Sequence, residues 1–405
     1  MALVLHARSG PERAPEHDLR PWIKLISVFC EVNRPAYSEC RAGDIDWGQM
    51  LSPYFDPIRG RLIAALKRFL EEKSAELARV NPMGADAVER LMEFSLRGKM
   101  IRGCLVHLGW SLARTGPADE QAVTAAGAAM ELFQSGLLVH DDIMDRDPVR
   151  RGQPSIFRQY EEQAARDRRA DPAHVGQALG ICAGDVAYFM AFELLSRAAL
   201  PGPVLGDVLT LCARELSAVG IAQMQDVAWG ASSSPVGMEQ ILRMYTYKTG
   251  RYSFSLPLLT GALLAGGSQE LRGRLEACGE SLGLLYQLRD DELGLFGDEK
   301  EIGKPSASDL REGKKTILVS LLMEEGPAAD RRRLAAILGN PRATRGDVEF
   351  VRSLAASDAV RARMRSLTAD LTARAGEAMR LLPCGAEDHR AALRSLLDFT
   401  TSRSQ

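Results

Sequence analysis

Residues 131–154, ELFQSGLLVHDDIMDRDPVRRGQP, carry three carboxylates, Asp141, Asp142 and Asp145, and then two adjacent arginines, Arg150 and Arg151. A helix turns once in about 3.6 residues, so positions i and i+4 share a face and Asp141 points the same way as Asp145. Like charges so spaced repel by roughly a few tenths of a kcal/mol unless a cation sits between them. Magnesium suits that gap, because it takes oxygen ligands and is held by one or two carboxylates together with substrate phosphates. The plainer reading of the same residues is a solvated acidic helix end.

A second stretch, residues 286–316, YQLRDDELGLFGDEKEIGKPSASDLREGKKT, repeats the theme. An apolar helical segment meets Asp290 and Asp291, and Lys304 and Lys314 follow. Two acid clusters trailed by basic residues suit a polyphosphate held on metal ions between two helices. Before the first cluster, RGKMIRG at 97–103 places Lys99 and Arg102 three residues apart, beside Gly98 and Gly103, which would let a ligand approach the backbone. Taken alone, that fragment also reads as an exposed basic pair.

These blocks together resemble the trans-prenyl diphosphate synthases, the isoprenoid chain-elongation enzymes. That family's DDxxD followed by RRGxP stands here as DDIMD and RRGQP, and its QxxDD, GK and GKxT stand as QLRDD, GK and GKKT. The blocks run in order from about residue 95 to 320. The resemblance implies an all-α fold, a single large helical bundle with a central cleft. It implies Mg2+, three ions per site, on Asp141, Asp145 and Asp290. Arg150, Lys248 and Lys304 would contact the leaving pyrophosphate, with Lys314 nearby. Lys99, Arg102, Gln134 and Arg151 would hold isopentenyl diphosphate, and Thr249 and Gln287 would line the allylic side. Gln134 lies two helical turns before Asp141, on roughly the same face, and Gln223 and Asp226 would lie across the cleft from the first motif. His140 stays outside the ligand set.

The chain departs from the pattern in two places. Gly103 replaces the proline that usually follows the arginine of GKxxR, which implies a looser turn. Gly294 replaces the last carboxylate of the second DDxxD, leaving Asp290 to act with Asp291 or through water, with Asp298 as an outer acid.

The expected product is geranylgeranyl diphosphate (C20), made from isopentenyl diphosphate and an allylic diphosphate, with C15 or C25 and longer as alternatives. Gly136 and Leu137 stand where short-chain members often carry aromatic blockers, and Phe133, two turns below Asp141, is a candidate floor. A class I terpene cyclase would carry a different second metal motif and no acceptor pocket, while a non-catalytic partner subunit would have lost an acid motif or the arginine pair. A homodimer is implied by the resemblance.

The elements that must position these residues read as helices. Hydrophobic residues make up 46% of the 405 and aromatics 6%, which fits a soluble, Ala/Leu-rich helical protein. Lys+Arg 51 against Asp+Glu 53 leaves no global basic field for nucleic acid or anionic membrane. Seven scattered cysteines without a CxxC pair indicate reduced thiols in a cytoplasm. No uninterrupted run of 18 apolar residues appears. Residues 1–50 have no period and read as a mobile extension with no assigned role, followed by one helical domain over 51–405. Within it, Pro82 and Gly84 are expected to stop a first helix, another starting near Asp86 contains RGKMIRG, and 175–200 reads as a central buried helix. A Thr-Gly kink is expected at 249–250, and long helical runs at 347–380 and 387–400.

Overall fold

The computed structural model describes residues 54–114, 119–297, 308–382 and 387–401, all within the unit Ile45–Gln405. The expected extension at 1–50, Asp298 and Lys304 lie outside the described residues. The architecture is all-α, as the spacing of apolar residues implies.

The first helix, α1 (Phe55–Leu77), buries Ile58, Leu62, Leu66, Phe69 and Leu70 at three- and four-residue intervals. It ends before the expected stop. Pro82 opens α2 (Pro82–Leu96) instead, where a missing N–H costs nothing, and Asn81 caps it by accepting the Met83 N–H at 2.8 Å. The next stretch corrects the sequence reading more sharply. RGKMIRG does not lie within one helix: Met100 takes a left-handed φ of 58°, and α3 (Ile101–Ala113) begins after it. Lys99 therefore precedes the break while Arg102 sits in the first turn of α3. Gly103 makes no loose turn either. It lies inside α3, where a Cβ would stand 2.6 Å from Leu62 Cδ1 and 3.0 Å from the Gly127 carbonyl oxygen, so its role is close helix packing.

The central helix is α4 (Glu120–Met144), capped by the Asp119 carboxylate on Gln121 N and Ala122 N. It packs against α1, α3 and, most extensively, α6 (Pro172–Ser196). Both α4 and α6 are long and apolar enough to cross a membrane by length and composition, but 72% of the α4 window is buried against 44% for α6. The expected central buried helix is thus α4, and α6 keeps an open face bearing Ile181 and Phe189. Between them stand α5 (Ile156–Arg166) and a minimal antiparallel hairpin, β1 (Val149–Arg150) with β2 (Gln153–Pro154). Arg151 at φ 54° and Gly152 at φ 72° form its turn, the two positive values of a type I′ hairpin. The alternation that normally announces strands is absent from so short a pair.

After α7 (Gly202–Gly230), α8 (Met238–Tyr245) runs straight into a π-helix, Thr246–Ser255, and then into α9 (Leu256–Leu264). The helix is widened where a kink was expected. Arg251 pins this segment between α7 and α10 (Gln269–Phe296): it pairs with Glu215 at 2.8 Å, Glu276 at 2.6 Å and Glu280 at 2.6 Å. The short α11 (Ser308–Glu312) leads into α12 (Ile317–Glu325), α13 (Ala328–Ile337), α14 (Arg345–Ala355), α15 (Asp358–Arg380) and α16 (Glu387–Thr401). The expected run at 347–380 is thus two helices, divided at Ala356 and Ser357. Both α15 and α16 pack on α10.

Candidate active site

Asp141, Asp142 and Asp145 close the C-terminal end of α4, and Asp290 and Asp291 lie in the last turns of α10. A helix C-terminus carries partial negative charge, so carboxylates there are unfavourable unless cations answer them. Basic side chains do so at the end of α4, whereas neutral donors meet Asp291 on α10.

Arg150 on β1 donates from Nε to Asp142 Oδ1 at 2.6 Å, and its Nη2 lies 3.2 Å from Asp147 and 3.7 Å from Asp141. Asp142 is fully buried, and its other oxygen, Oδ2, has no hydrogen-bond partner among the described residues. Burial pushes the Asp142 carboxyl up to about 7, against the pull of Arg150 and with the help of Asp141 and Asp147. Burial also works against the charge of Arg150, but Asp142, Asp141 and Asp147 outweigh it and hold the guanidinium protonated. Asp141 keeps 25% side-chain exposure and accepts from Gln223 Nε2 at 3.1 Å. Asp145 pairs with Lys314, whose ammonium also lies 3.0 Å from Glu312 and 3.9 Å from Asp309. Burial and then Asp141 raise the Asp145 carboxyl, with Lys314 and Lys248 opposing. Lys248 in the π-helix donates to Asp226 of α7 at 2.5 Å. Asp141 and Asp226 keep Lys248 charged in spite of its burial.

On α10 the two aspartates divide in the same way. Asp291 is buried and accepts from Tyr245 Oη and, at 3.0 Å, from Gln287 Nε2. Gln287 in turn accepts from Thr249 Oγ1 at 2.7 Å, which ties the π-helix to the second acid pair. Burial holds the Asp291 carboxyl well above its ordinary range, with Asp309 and Asp290 adding to the effect and Tyr245 and Gln287 opposing it. Asp290 retains partial exposure. Where the family pattern has its third acid, a Cβ on Gly294 would stand 2.9 Å from Asp309 Oδ2. The space is filled by a carboxylate from α11. Asp291, Gly294, Asp309 and Lys314 line one small cavity.

The residues expected to hold the acceptor, Lys99, Arg102, Gln134 and Arg151, have surroundings of their own. Arg151 Nη1 donates to the Phe94 carbonyl at 2.6 Å, and its guanidinium lies over the Phe94 ring at 4.9 Å. Gly98 makes room for it, since a Cβ there would stand 3.3 Å from Arg151 Nη1. Arg102 donates to Ser253 Oγ at 2.5 Å and lies over the Tyr252 ring at 4.9 Å, while its buried Nε has no hydrogen-bond partner among the described residues. Lys99 is exposed and Gln134 half-buried. Phe133 is fully buried and packs edge-on against Phe192 at 4.8 Å, and Leu137 is half-buried. A Cβ on Gly136 would stand 2.8 Å from Tyr188 Cε1, so an aromatic ring from α6 occupies the space beside that glycine. His140 packs on the Tyr188 ring at 5.4 Å, bonds the Ile181 carbonyl at 3.0 Å and lies 3.5 Å from Asp185 of α6.

Tyr245, Asp309, Glu312 and Asp147 were not singled out in the sequence. Asp309 had a signal, an acid five residues before Lys314 in SDLREGKKT, whereas Tyr245 carried none. Among the described residues no three acidic, histidine or cysteine side chains converge on one point. The donors available at the acids are nonetheless hard carboxylate oxygens, the ligand chemistry magnesium prefers.

Residues 85–355 match the family described as polyprenyl synthetase. The chain is 29% identical over 359 residues to a geranylgeranyl diphosphate synthase from Saccharolobus solfataricus, covering 87% of this chain and 98% of that one. It is 30% identical over 342 residues to a nonaprenyl diphosphate synthase from Mycobacterium tuberculosis, covering 84% and 92%. A crystal structure of geranylgeranyl pyrophosphate synthase from Corynebacterium glutamicum, complexed with isoprenyl diphosphate and magnesium, superposes with a TM-score of 0.78 at 29% identity, covering 87% of this chain and 99% of that one. The matched range spans both acid-bearing helix ends together with Lys248 and Lys314, and the chain belongs to the polyprenyl synthetases.

Proposed function

We propose that the protein condenses isopentenyl diphosphate with an allylic diphosphate, head to tail, to give a trans-prenyl diphosphate and pyrophosphate. The carrying observation is the pair of Asp-Asp dipeptides at the ends of α4 and α10, with Lys314 joining Asp145 to α11 beside the second pair. Asp141, Asp145 and Asp290 would hold magnesium, three ions per site, which supplies positive charge to the departing pyrophosphate. Lys248, Arg150 and Lys314 add fixed positive charge at the same end. Lys304 would join them from outside the described residues. Arg102, Arg151, Lys99 and Gln134 hold the acceptor diphosphate so that its double bond faces the allylic carbon, a positioning effect. Pyrophosphate itself can take the final proton, so no side-chain nucleophile is needed.

The growing tail runs down α4 away from Asp141. Phe133 lies about 12 Å below at roughly 1.5 Å per residue, and an extended isoprene unit spans roughly 4–5 Å by covalent geometry. With Gly136 and Leu137 in place of aromatic blockers above that floor, the product we infer is C20, geranylgeranyl diphosphate. A homodimer fits the apolar residues left on two helices: Phe189 is 72% exposed on α6, and Ile221 and Met224 are 66% and 68% exposed on α7. Cys104, Cys182, Cys212 and Cys278 form no disulfide, which suits a reducing cytoplasm.

The test is a magnesium-dependent assay with labelled isopentenyl diphosphate and C5, C10 or C15 allylic diphosphates, sizing the dephosphorylated products. A C20 product lost with EDTA and in Asp141→Ala supports the reading, and Phe133→Ala should lengthen it. Hydrocarbon formed without isopentenyl incorporation would favour a cyclase. No turnover by folded protein would favour a non-catalytic partner subunit.

A further inference from the structure

Glu131 stands three residues before Gln134 on α4 and is only 5% exposed, yet no step above uses it. A buried carboxylate close to a site for anionic diphosphates looks counterproductive, since it must repel the ligand. Its partners supply the reason for its place.

Glu131 Oε1 accepts the Gly103 backbone N–H at 2.8 Å, and the Arg102 backbone adds a further hydrogen bond. Both groups belong to the first turn of α3, whose own cap residue, the left-handed Met100, offers no side-chain bond. The first N–H groups of a helix have no partner inside it. An oxygen acceptor there, ordinarily from the preceding residue, stabilises the helix. Here α4 supplies it from a distance in sequence, and its negative charge also suits the positive end of α3. Glu131 thereby fixes the segment that carries Lys99 and Arg102.

The carboxylate also acts on charge. Burial raises the Glu131 carboxyl, and the guanidinium of Arg102 is the strongest influence against that, followed by the Gly103 N–H and then Arg151. Burial likewise works against the charge of Arg151, which Glu131 supports more than any other group while Arg150 and Arg102 repel it. Glu131 therefore supports the charge of two guanidiniums that repel each other, without a direct ion pair to either. Neutral contacts complete their placement, Ser253 and Tyr252 for Arg102 and Phe94 for Arg151.

We propose that Glu131 is a positioning residue for the acceptor diphosphate: it caps α3 and sets the spacing of Arg102 and Arg151 before the ligand arrives. The repulsion it adds is outweighed by cations that need no rearrangement on binding. This rests on the assignment of Arg102 and Arg151 to isopentenyl diphosphate made above.

Two variants test it. Glu131→Gln keeps a carbonyl oxygen for the Gly103 N–H and removes the charge, whereas Glu131→Leu removes both. Steady-state kinetics should give Glu131→Gln a KM for isopentenyl diphosphate raised about tenfold, with the allylic KM within about twofold, and Glu131→Leu a larger rise in the same parameter. Calorimetry with isopentenyl diphosphate alone should show the same weakening without turnover. Should Glu131→Leu fail to fold, Glu131→Gln still decides. Equal rises in both KM values, or a Glu131→Gln that binds isopentenyl diphosphate within twofold of the parent, would overturn the proposal. A parent protein that does not bind isopentenyl diphosphate at all would sink the functional reading itself.

Discussion

The same dipeptide, Asp-Asp, ends α4 and recurs near the end of α10, and the fold treats the two copies alike in one respect. In each, the first aspartate keeps some exposure and the second is buried. They differ in what meets the buried one. Asp142 is answered by a full positive charge, Arg150, and Asp291 by the hydroxyl of Tyr245 and the amide of Gln287. A charge partner preserves a carboxylate out of water, whereas neutral partners leave burial to favour its protonated form. Burial raises both buried carboxyls, and it is opposed by a full positive charge at Asp142 but only by neutral donors at Asp291. The third acid differs as well: α4 supplies Asp145 from its own sequence, but beside Gly294 the carboxylate comes from Asp309 on another helix.

The largest effect that separates the two ends should follow Arg150→Leu. It strands Asp142 in a fully buried place, and loss of one partner of a buried ion pair costs about 3–5 kcal/mol. Urea unfolding of metal-free protein measures it. A loss no greater than that of the Tyr245 variant below would erase the distinction.

Gly294→Asp comes next. It restores the family pattern in sequence but drives a side chain to 2.9 Å from Asp309 Oδ2. Crowding of this kind costs about 1–3 kcal/mol, with like charges adding to it, and prenyl transfer should fall. The double variant Gly294→Asp with Asp309→Gly should recover stability and part of the activity. Higher activity in the single variant would mean the two acids are not alternatives for one space.

Tyr245→Phe removes a neutral donor from Asp291 and the acceptor that the Ile317 N–H reaches at 3.3 Å. An unsatisfied buried group costs about 1–3 kcal/mol. We expect the lower part of that range, because Gln287 remains on Asp291, and thermal unfolding reads it out.

A further effect is a slope with pH. Asp142 and Glu312 are both raised to about 7 from ordinary values of 3.8 and 4.5, chiefly by burial. Between about pH 4 and 7 the native state holds protons that the unfolded chain has released. Metal-free stability should therefore fall as pH rises through that window and level off above it. Urea midpoints across the range in EDTA should decline. Asp142→Asn and Glu312→Gln should each flatten the curve, and a rising midpoint would contradict both assignments.

Much of this was legible in the sequence because it rests on local spacing. The period of apolar residues marked the helices, and the acids and bases stood in recognisable order along α4 and α10. Three features escaped because they depend on distant packing. The break at Met100 is invisible in RGKMIRG, since methionine has no preference for a left-handed turn. Gly103 looked like a door for ligand, and only Leu62 and Gly127 reveal it as a packing contact. The partners of Asp291 lie 46 and 4 residues away along the chain, and only the nearer one falls within a motif. Helix ends drawn from proline failed at Pro82, which can open a helix as readily as close one.

The π-helix over Thr246–Ser255 bears on how this chain tolerates changes of length. In an α-helix each residue advances the direction of a side chain by about 100°, whereas this stretch closes i→i+5 bonds and so winds more loosely. Removing Gly250, which stands between Thr249 and Arg251, would let the segment relax to ordinary winding with little loss of backbone bonding. The helix after the cut would then be out of phase with the helix before it. Lys248 and Thr249 could keep Asp226 and Gln287 only if Arg251 left its three glutamates, or the reverse. A substitution within the loop of helix is a local event, but a deletion there is a choice between the site and its scaffold.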